Sequence, residues 1–441
     1  MRAHLSNAAY GVLDYAAYPV AMVVSAPTLL KHLGVEQYGI WIVITAALNT
    51  GGIIASGFGD ANIQYVASAR SLGDADRLLR AVRSMLGINL LLGGALALIS
   101  WMLAPLAVDH LVGSSEDLGA ACLLGLRIAS VLMLVRAIET VCVSTQRAFE
   151  RYGAAIRISL LARVITVAAA VVLSFQGFGV GGIMVATAFF LVLGTLAQLI
   201  RLQQYLGAAS LFPSFDRSAT TALFQFGAFS WLLAVSSVIF TQADRLLLGV
   251  SLGASTVTAY ALCVQMAQPI YGFASSGLHF LFPYLAARNA VSRPAAIRKA
   301  VLTAFCVNLL VVAIGAGVLL LFGRAVLNAW VGHSVAQSAA GILAPITWSF
   351  AFLGLSVTGY YALLALGRVH MVTALNITGG IAMLLLMACL LPLQGVHGIA
   401  MARLSYGLTA LLMYVPLARA LGGARAPSLS AADIRPVCED V

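Results

Sequence analysis

Charge is what this chain has least of. Only 9% of its 441 residues are Asp, Glu, Lys or Arg, and two of the 25 basic residues, Lys31 and Lys299, are lysine. Neither lysine follows a glycine in the GxxxxGK[ST] pattern, so no P-loop can be formed and ATP hydrolysis by this chain is not expected. Cysteine is equally scarce. Cys122, Cys142, Cys263, Cys306 and Cys389 fall inside apolar stretches and Cys438 near the C-terminus, with no CxxC or Cys/His spacing for zinc or a disulfide framework. No long polar segment exists to house a glycosyltransferase or ligase site, and no Ser/His/Asp pattern stands out. An enzyme is therefore not expected, nor a cofactor. A membrane-embedded polysaccharide polymerase or ligase would predict a large outer loop rich in Arg or His, and none is visible.

What fills the chain instead is apolar: 61% of residues are hydrophobic and the mean hydropathy is +0.98. A soluble domain of this length could not bury so much apolar surface, whereas a bilayer accepts it. A helical crossing needs about 20 apolar residues, and twelve stretches qualify, near 8–31, 38–66, 82–107, 119–146, 154–175, 179–200, 224–249, 255–285, 300–322, 339–366, 371–392 and 397–420. The first is too long for a cleavable signal peptide and carries Asp14 and Pro19, so it is expected to remain as a crossing. The expected fold class is all-α integral membrane.

The second half echoes the first at a constant offset of 219. Leu33-Gly34 recurs as Leu252-Gly253, Arg80-Ala81-Val82 as Lys299-Ala300-Val301, Asn89-Leu90-Leu91 as Asn308-Leu309-Leu310, and Val112-Gly113 as Val331-Gly332. A duplication of this kind in a membrane chain is the usual layout of a transporter whose site lies between two halves. Six helices per half is an even number, so the repeats run parallel. The expected organisation is an N-terminal six-helix bundle over 1–205, a cytoplasmic linker over 206–222 that only joins the halves, a C-terminal six-helix bundle over 223–421, and a disordered cytoplasmic tail over 422–441.

The net charge of +10 follows topology, not nucleic acid. Eighteen of the 25 basic residues fall on one side of the proposed crossings and two, Lys31 and Arg324, on the other. That asymmetry places both termini in the cytoplasm, and the expected location is a bacterial cytoplasmic (inner) membrane. Five arginines remain inside spans: Arg127, Arg136, Arg163, Arg245 and Arg403, with the acids Asp14, Glu139 and Asp244 and, nearer one end, Asp60. A charge at the bilayer centre costs about 2.5–3.5 kcal/mol on insertion scales, so each needs a partner or a wet cavity. Arg127, Arg136 and Arg163 give the first half a cationic interior suited to an anionic cargo, with Arg163 deepest. Arg136 and Glu139 share a helix face and can pair. Arg127 lies half a turn away from Arg136, so the two diverge. Asp14 is placed to bind a coupling cation or to neutralise an arginine. Gln242, Asp244 and Arg245 suggest a local Asp–Arg interaction, and Arg403 near a helix end suits snorkelling.

The segment Leu33-Gly34-Val35-Glu36-Gln37-Tyr38-Gly39-Ile40-Trp41, running on to Gly57-Phe58-Gly59-Asp60, resembles the second helix of bacterial oligosaccharide flippases of O-antigen type. These belong to the multidrug/oligosaccharidyl-lipid/polysaccharide exporter superfamily. Gln242-Ala243-Asp244-Arg245-Leu246-Leu247-Leu248-Gly249, followed by Leu252-Gly253 and Tyr260, is similar to that family's seventh and eighth helices. The resemblance implies two six-helix bundles in a V, opening alternately to each side of the membrane around a cationic cavity. It implies a polyprenyl-pyrophosphate-linked oligosaccharide moved to the outer leaflet; Arg163, Arg136 and Arg127 are the candidate substrate contacts by their position within the spans, not by a motif of that family. Coupling or gating roles then fall to Asp14, Glu139, Asp60, Asp244 and Arg245, with H+ or Na+ as the coupling ion. Membrane lipids are implied as partners, together with a polysaccharide polymerase and glycosyltransferases; nucleic acid is not. The alternative within the same superfamily is a cation-coupled multidrug antiporter.

Overall fold

In the computed structural model the described residues are 2–56, 58–112, 116–149, 152–207, 210–278, 281–282, 284–285 and 294–422. Among them the chain is helical throughout, without a strand. The first half comprises α1 (Arg2–Ser56), α2 (Gly59–Ser71), α3 (Ala75–Val112), α4 (Glu116–Ala148), α5 (Tyr152–Phe175) and α6 (Val180–Leu206). The second comprises α7 (Arg217–Leu252), α8 (Ala254–Leu278), α9 (Pro294–Val331), α10 (His333–Ala365), α11 (Val369–Gln394), α12 (Val396–Ala410) and α13 (Tyr414–Gly422). Nine helices among the described residues are long and apolar enough to cross a membrane. The tail expected beyond 422 lies outside the described residues.

The 219-residue echo has a backbone counterpart. α1 is two helices joined at Gly34, whose φ of 77° and ψ of 171° no helix accommodates. Gly253, which joins α7 to α8, has φ 79° and ψ 172°, a left-handed φ that glycine alone adopts without penalty. The echoed asparagines also do the same work. Asn89 in α3 donates its amide to the Ala137 carbonyl of α4 at 3.1 Å, and Asn308 in α9 donates to the Gly354 carbonyl of α10 at 2.9 Å. Both are buried. Where such a polar side chain must sit away from water, a backbone carbonyl on the neighbouring helix is its natural partner.

Two expectations need correction. The second apolar stretch, 38–66, is not one helix, because α1 ends at Ser56 and α2 starts at Gly59. The linker does more than join. The Ser214 N–H donates to the Arg83 carbonyl at 3.2 Å, the Asp216 N–H to Ser84 Oγ at 3.1 Å, and Arg83 to the Ser210 carbonyl at 2.8 Å. Asp216 then caps α7 by accepting from the Ala219 N–H at 2.9 Å, satisfying one of the orphan donors at the helix start.

Proline and helix ends leave carbonyls without partners, and tryptophans from the other half fill them. Pro27 has no N–H, so the carbonyl of Val23 loses its helical donor; the Trp330 indole donates to it at 3.0 Å. At the end of α1 the Ile54 carbonyl receives the Trp231 indole at 2.8 Å. Both bonds cross between the halves.

The halves meet tightly near Gly34 and Gly253. Thr258 donates to the Val35 carbonyl at 2.7 Å, and Gln265 donates to the Tyr38 hydroxyl at 3.3 Å. A Cβ on Gly39 would fall 1.8 Å from the Ala254 carbonyl oxygen. Under the 219 offset Val35 maps to Ala254 and Gly39 to Thr258, so the two contacts are images of each other across an approximate two-fold. Gly39→Val is therefore expected to overpack this junction and cost about 1–3 kcal/mol, read as a lower Tm of the detergent-solubilised protein. An unchanged Tm would show that the junction is loose.

Candidate functional site

A cavity of about 700 Å³ lies between the halves, walled by α1, α7, α8, α10, α11 and α12. Its lining mixes amides and hydroxyls (Asn49, Thr241, Gln242, Gln268, Asn376) with the rings of Tyr271, Phe350, Tyr360, Tyr361 and Tyr406. Among the described residues lining it, the charged ones are Arg245 and Arg403. This size and composition match small-molecule sites in general, at about 300–1,000 Å³ with a few convergent polar groups.

The two arginines are not equivalent. Arg403 of α12 forms a salt bridge with Asp244 of α7, whose second partner is the Tyr260 hydroxyl of α8 at 2.7 Å. Asp244 and Tyr260 are fully buried and Arg403 is 5% exposed, with its guanidinium 4.8 Å from the Phe350 ring centroid. This cluster corrects two expectations. Asp244 pairs with Arg403 across the bundle instead of with its neighbour, and Arg403 is held in the interior instead of snorkelling. Adjacent residues on a helix point about 100° apart, which takes the Arg245 side chain away from Asp244; only the Arg245 backbone N–H donates to Asp244 Oδ1, at 2.8 Å. Arg245 reaches toward Gln242 Oε1 at 3.4 Å and keeps its charge uncompensated by any acid lining the cavity.

The arginines of the first half lie elsewhere and are not among the residues lining this cavity. Arg136 pairs with Glu139 at 3.0 Å, one turn along α4. The other Glu139 oxygen accepts from Ser159 of α5 at 2.8 Å, and Gln198 of α6 donates on to Ser159 at 3.1 Å. Gln146 completes the chain by donating to Gln198 at 2.6 Å. Arg163 lies within electrostatic reach of Glu139. Arg136 and Arg163 thus gather around one carboxylate in a polar belt tying α4, α5 and α6. Gly52 of α1 lies against this belt, its missing Cβ 3.4 Å from Arg136 Cβ. Arg127 takes another direction, its guanidinium 5.1 Å from the Trp101 ring of α3. The side chains of Asp14 and Asp60 lie outside the described residues.

Sequence reasoning missed the Asp244–Arg403 bridge because 159 residues separate its partners. The one available signal was that each is a charge deep in an apolar stretch and so requires a counter-charge. The tyrosine wall carried no signal, since aromatic residues are common in apolar helices.

The model of the family described as polysaccharide biosynthesis protein matches residues 7–288. A curated relative, the probable multidrug resistance protein NorM of Rhizobium meliloti (strain 1021), is 28% identical over 250 residues, covering 54% of this chain and 53% of the relative. The match thus spans about half the length of that protein. An inward-facing multidrug resistance MATE family transporter of the MOP superfamily superposes with a TM-score of 0.72 at 14% identity, covering 94% of this chain and 96% of that one. The lipid II flippase MurJ, in an inward closed conformation, superposes with a TM-score of 0.73 at 13% identity, covering 92% of this chain and 87% of that one. At these identities the likeness is one of fold.

Removing one partner of a buried ion pair leaves the other charge stranded, which costs about 3–5 kcal/mol. Arg403→Met alone is expected to lower the Tm sharply, and Asp244→Leu added to it should recover most of the loss. A double variant as unstable as the single one would show that the cluster does more than balance charge.

Proposed function

The chain belongs to the polysaccharide biosynthesis protein family, and from that membership we propose that it moves a lipid-linked oligosaccharide across the membrane by alternating access. It is a multi-pass membrane protein with the fold of the MOP-superfamily transporters. The observation that carries the choice of cargo is the charge of the cavity wall: among the described residues that line it, arginine supplies all of the charge and no carboxylate is present. A cavity of this kind attracts oxyanions, which guanidinium matches in a planar fork, and among its described lining residues offers an organic cation aromatic faces but no carboxylate. Membership of a polysaccharide biosynthesis protein family supports the same reading, and the fold shared with a lipid II flippase is compatible with it. The diphosphate of a polyprenyl carrier meets Arg136 and Arg163 on this proposal, outside the cavity lined by Arg245 and Arg403, while the prenyl chain stays in the bilayer. Membrane lipids surround the chain, and the glycosyltransferases and polymerase that make and consume such a cargo are its functional neighbours. Movement runs from the cytoplasmic to the outer leaflet of a bacterial inner membrane, with both termini cytoplasmic.

The second reading, a cation-coupled multidrug antiporter using H+ or Na+, is favoured by the NorM relative. The two readings separate in a deletion strain. Loss of a flippase leaves lipid-linked saccharide in the inner leaflet and removes surface polysaccharide, without changing drug susceptibility. Hypersensitivity to cationic drugs with normal polysaccharide would establish the antiporter instead. Arg163→Ala is expected to abolish surface polysaccharide at unchanged protein level, and Arg163→Lys to restore it in part; full complementation by Arg163→Ala would remove this residue from the mechanism. For topology, Arg80→Cys should react with an impermeant thiol reagent only after permeabilisation and Glu36→Cys in intact cells. The reverse pattern would invert the orientation.

A further inference from the structure

The charges available to a cargo stand at two depths. Arg245 lies seven residues before Leu252, the last residue of α7, and Arg403 seven residues after Val396, the first of α12. Gly395 lies beside Leu252, 3.7 Å from a built Cβ to Cδ1, so both helix ends are at one level. At 1.5 Å per residue the arginines are about 10 Å below it. This is the end at which the halves are sealed by the Thr258–Val35 bond and the Gly39–Ala254 contact. Arg136, at one end of the polar belt, is much farther away. Gly52, which faces Arg136, is 18 residues from Gly34 along α1, or about 27 Å. The hydrocarbon layer is about 30 Å thick, so Arg136 stands near the opposite face. Arg163 is 12 residues before Phe175, whose ring meets His32 beside Gly34, so it starts about 18 Å from the sealed end, against about 10 Å for Arg245.

A lipid diphosphate cannot satisfy both levels. Its prenyl chain holds it at the head-group level of the leaflet from which it enters, the level of Arg136. Only the saccharide can extend some 17 Å farther to the sealed end. Between the two levels the wall changes to aromatic faces and amides. Tyr361 is 11 residues from Phe350 on α10, about 16 Å toward the belt, and Tyr271, Tyr360, Gln268 and Asn376 share that part of the cavity. Aromatic faces stack on the C–H faces of sugar rings, and amides bond to their hydroxyls. Tyr361 is braced for such contact, its hydroxyl donating to the Ser275 carbonyl at 3.3 Å and its ring edge-on to Tyr360 at 5.4 Å.

At the sealed end the saccharide meets a cation. Arg403 is neutralised by Asp244, which leaves Arg245 as the unbalanced charge among the described residues of the lining. Its Nε is buried and makes no hydrogen bond within the protein, a cost that an incoming anionic oxygen would remove. We propose that Arg245 recognises an acidic group on the saccharide itself, such as a carboxylate or a phosphate substituent, so that the cargo is an acidic oligosaccharide and Arg245 sets specificity independently of the diphosphate. This inference rests on the flippase reading.

The test compares two flippase-deficient bacterial hosts, one assembling a surface polysaccharide from a neutral repeat unit and the other from a uronate-bearing repeat unit on the same polyprenyl diphosphate. The wild-type chain should restore the acidic polymer at least about tenfold better than the neutral one, the scale of one lost charge-assisted hydrogen bond. Arg245→Gln should collapse that ratio toward unity, and Arg245→Lys should retain part of it, with membrane levels of each protein followed by immunoblot. Equal restoration of both polymers by the wild-type chain overturns the inference while leaving the flippase reading intact, and this comparison needs no variant. A ratio unchanged by Arg245→Gln at normal protein level also overturns it, because the group read by Arg245 would then be the diphosphate common to both cargoes. Restoration of neither polymer overturns the flippase reading and the inference with it.

Discussion

Hydrocarbon offers no hydrogen bond, and every polar group carried into it must find its partner inside the protein. That constraint organises this molecule at each level. It makes the described chain helical throughout, because a helix satisfies its own backbone. It turns the exceptions into points of attachment: the carbonyls released at Pro27 and at the end of α1 are met by indoles from α9 and α7. It also accounts for the buried asparagines, each spending its amide on a neighbouring helix. Breaks in α1 and bonds between the halves are thus the same feature seen from two sides.

The same constraint sorts the charges. Five arginines lie in the apolar stretches, and the structure gives them different fates. Arg403 is balanced within a buried cluster, Arg136 and Arg163 share a carboxylate, and Arg127 rests on an indole. Arg245 is left facing a cavity. Balanced charges hold helices together, and an unbalanced one at a cavity wall creates affinity for whatever can enter.

The approximate two-fold relates the halves in backbone but not in chemistry. Gly34 and Gly253 share dihedral angles to within a few degrees, yet the contact made by Thr258 on one side is made by a bare Gly39 on the other. The result is a junction in which one hydrogen bond and one close backbone approach take the places of two equal contacts. The cavity below inherits the asymmetry, drawing most of its polar lining from the second half.

Much of this was legible in the amino-acid order. Apolar run length, the 219-residue offset and the distribution of arginine between the two sides are one-dimensional quantities, and each follows from the length of a crossing and the cost of moving charge through it. The pairing of Arg136 with Glu139 was legible for the same reason, since three residues along a helix define a contact. What the order of residues could not contain was any contact between distant helices. Whether Asp244 would meet Arg245 or Arg403, whether the cationic face of the cavity would come from α4 and α5 or from α7 and α12, and which tyrosines would share one wall all depend on how helices rotate and pack. Packing is set by shape complementarity summed over many small contacts, and only the tertiary structure decided it.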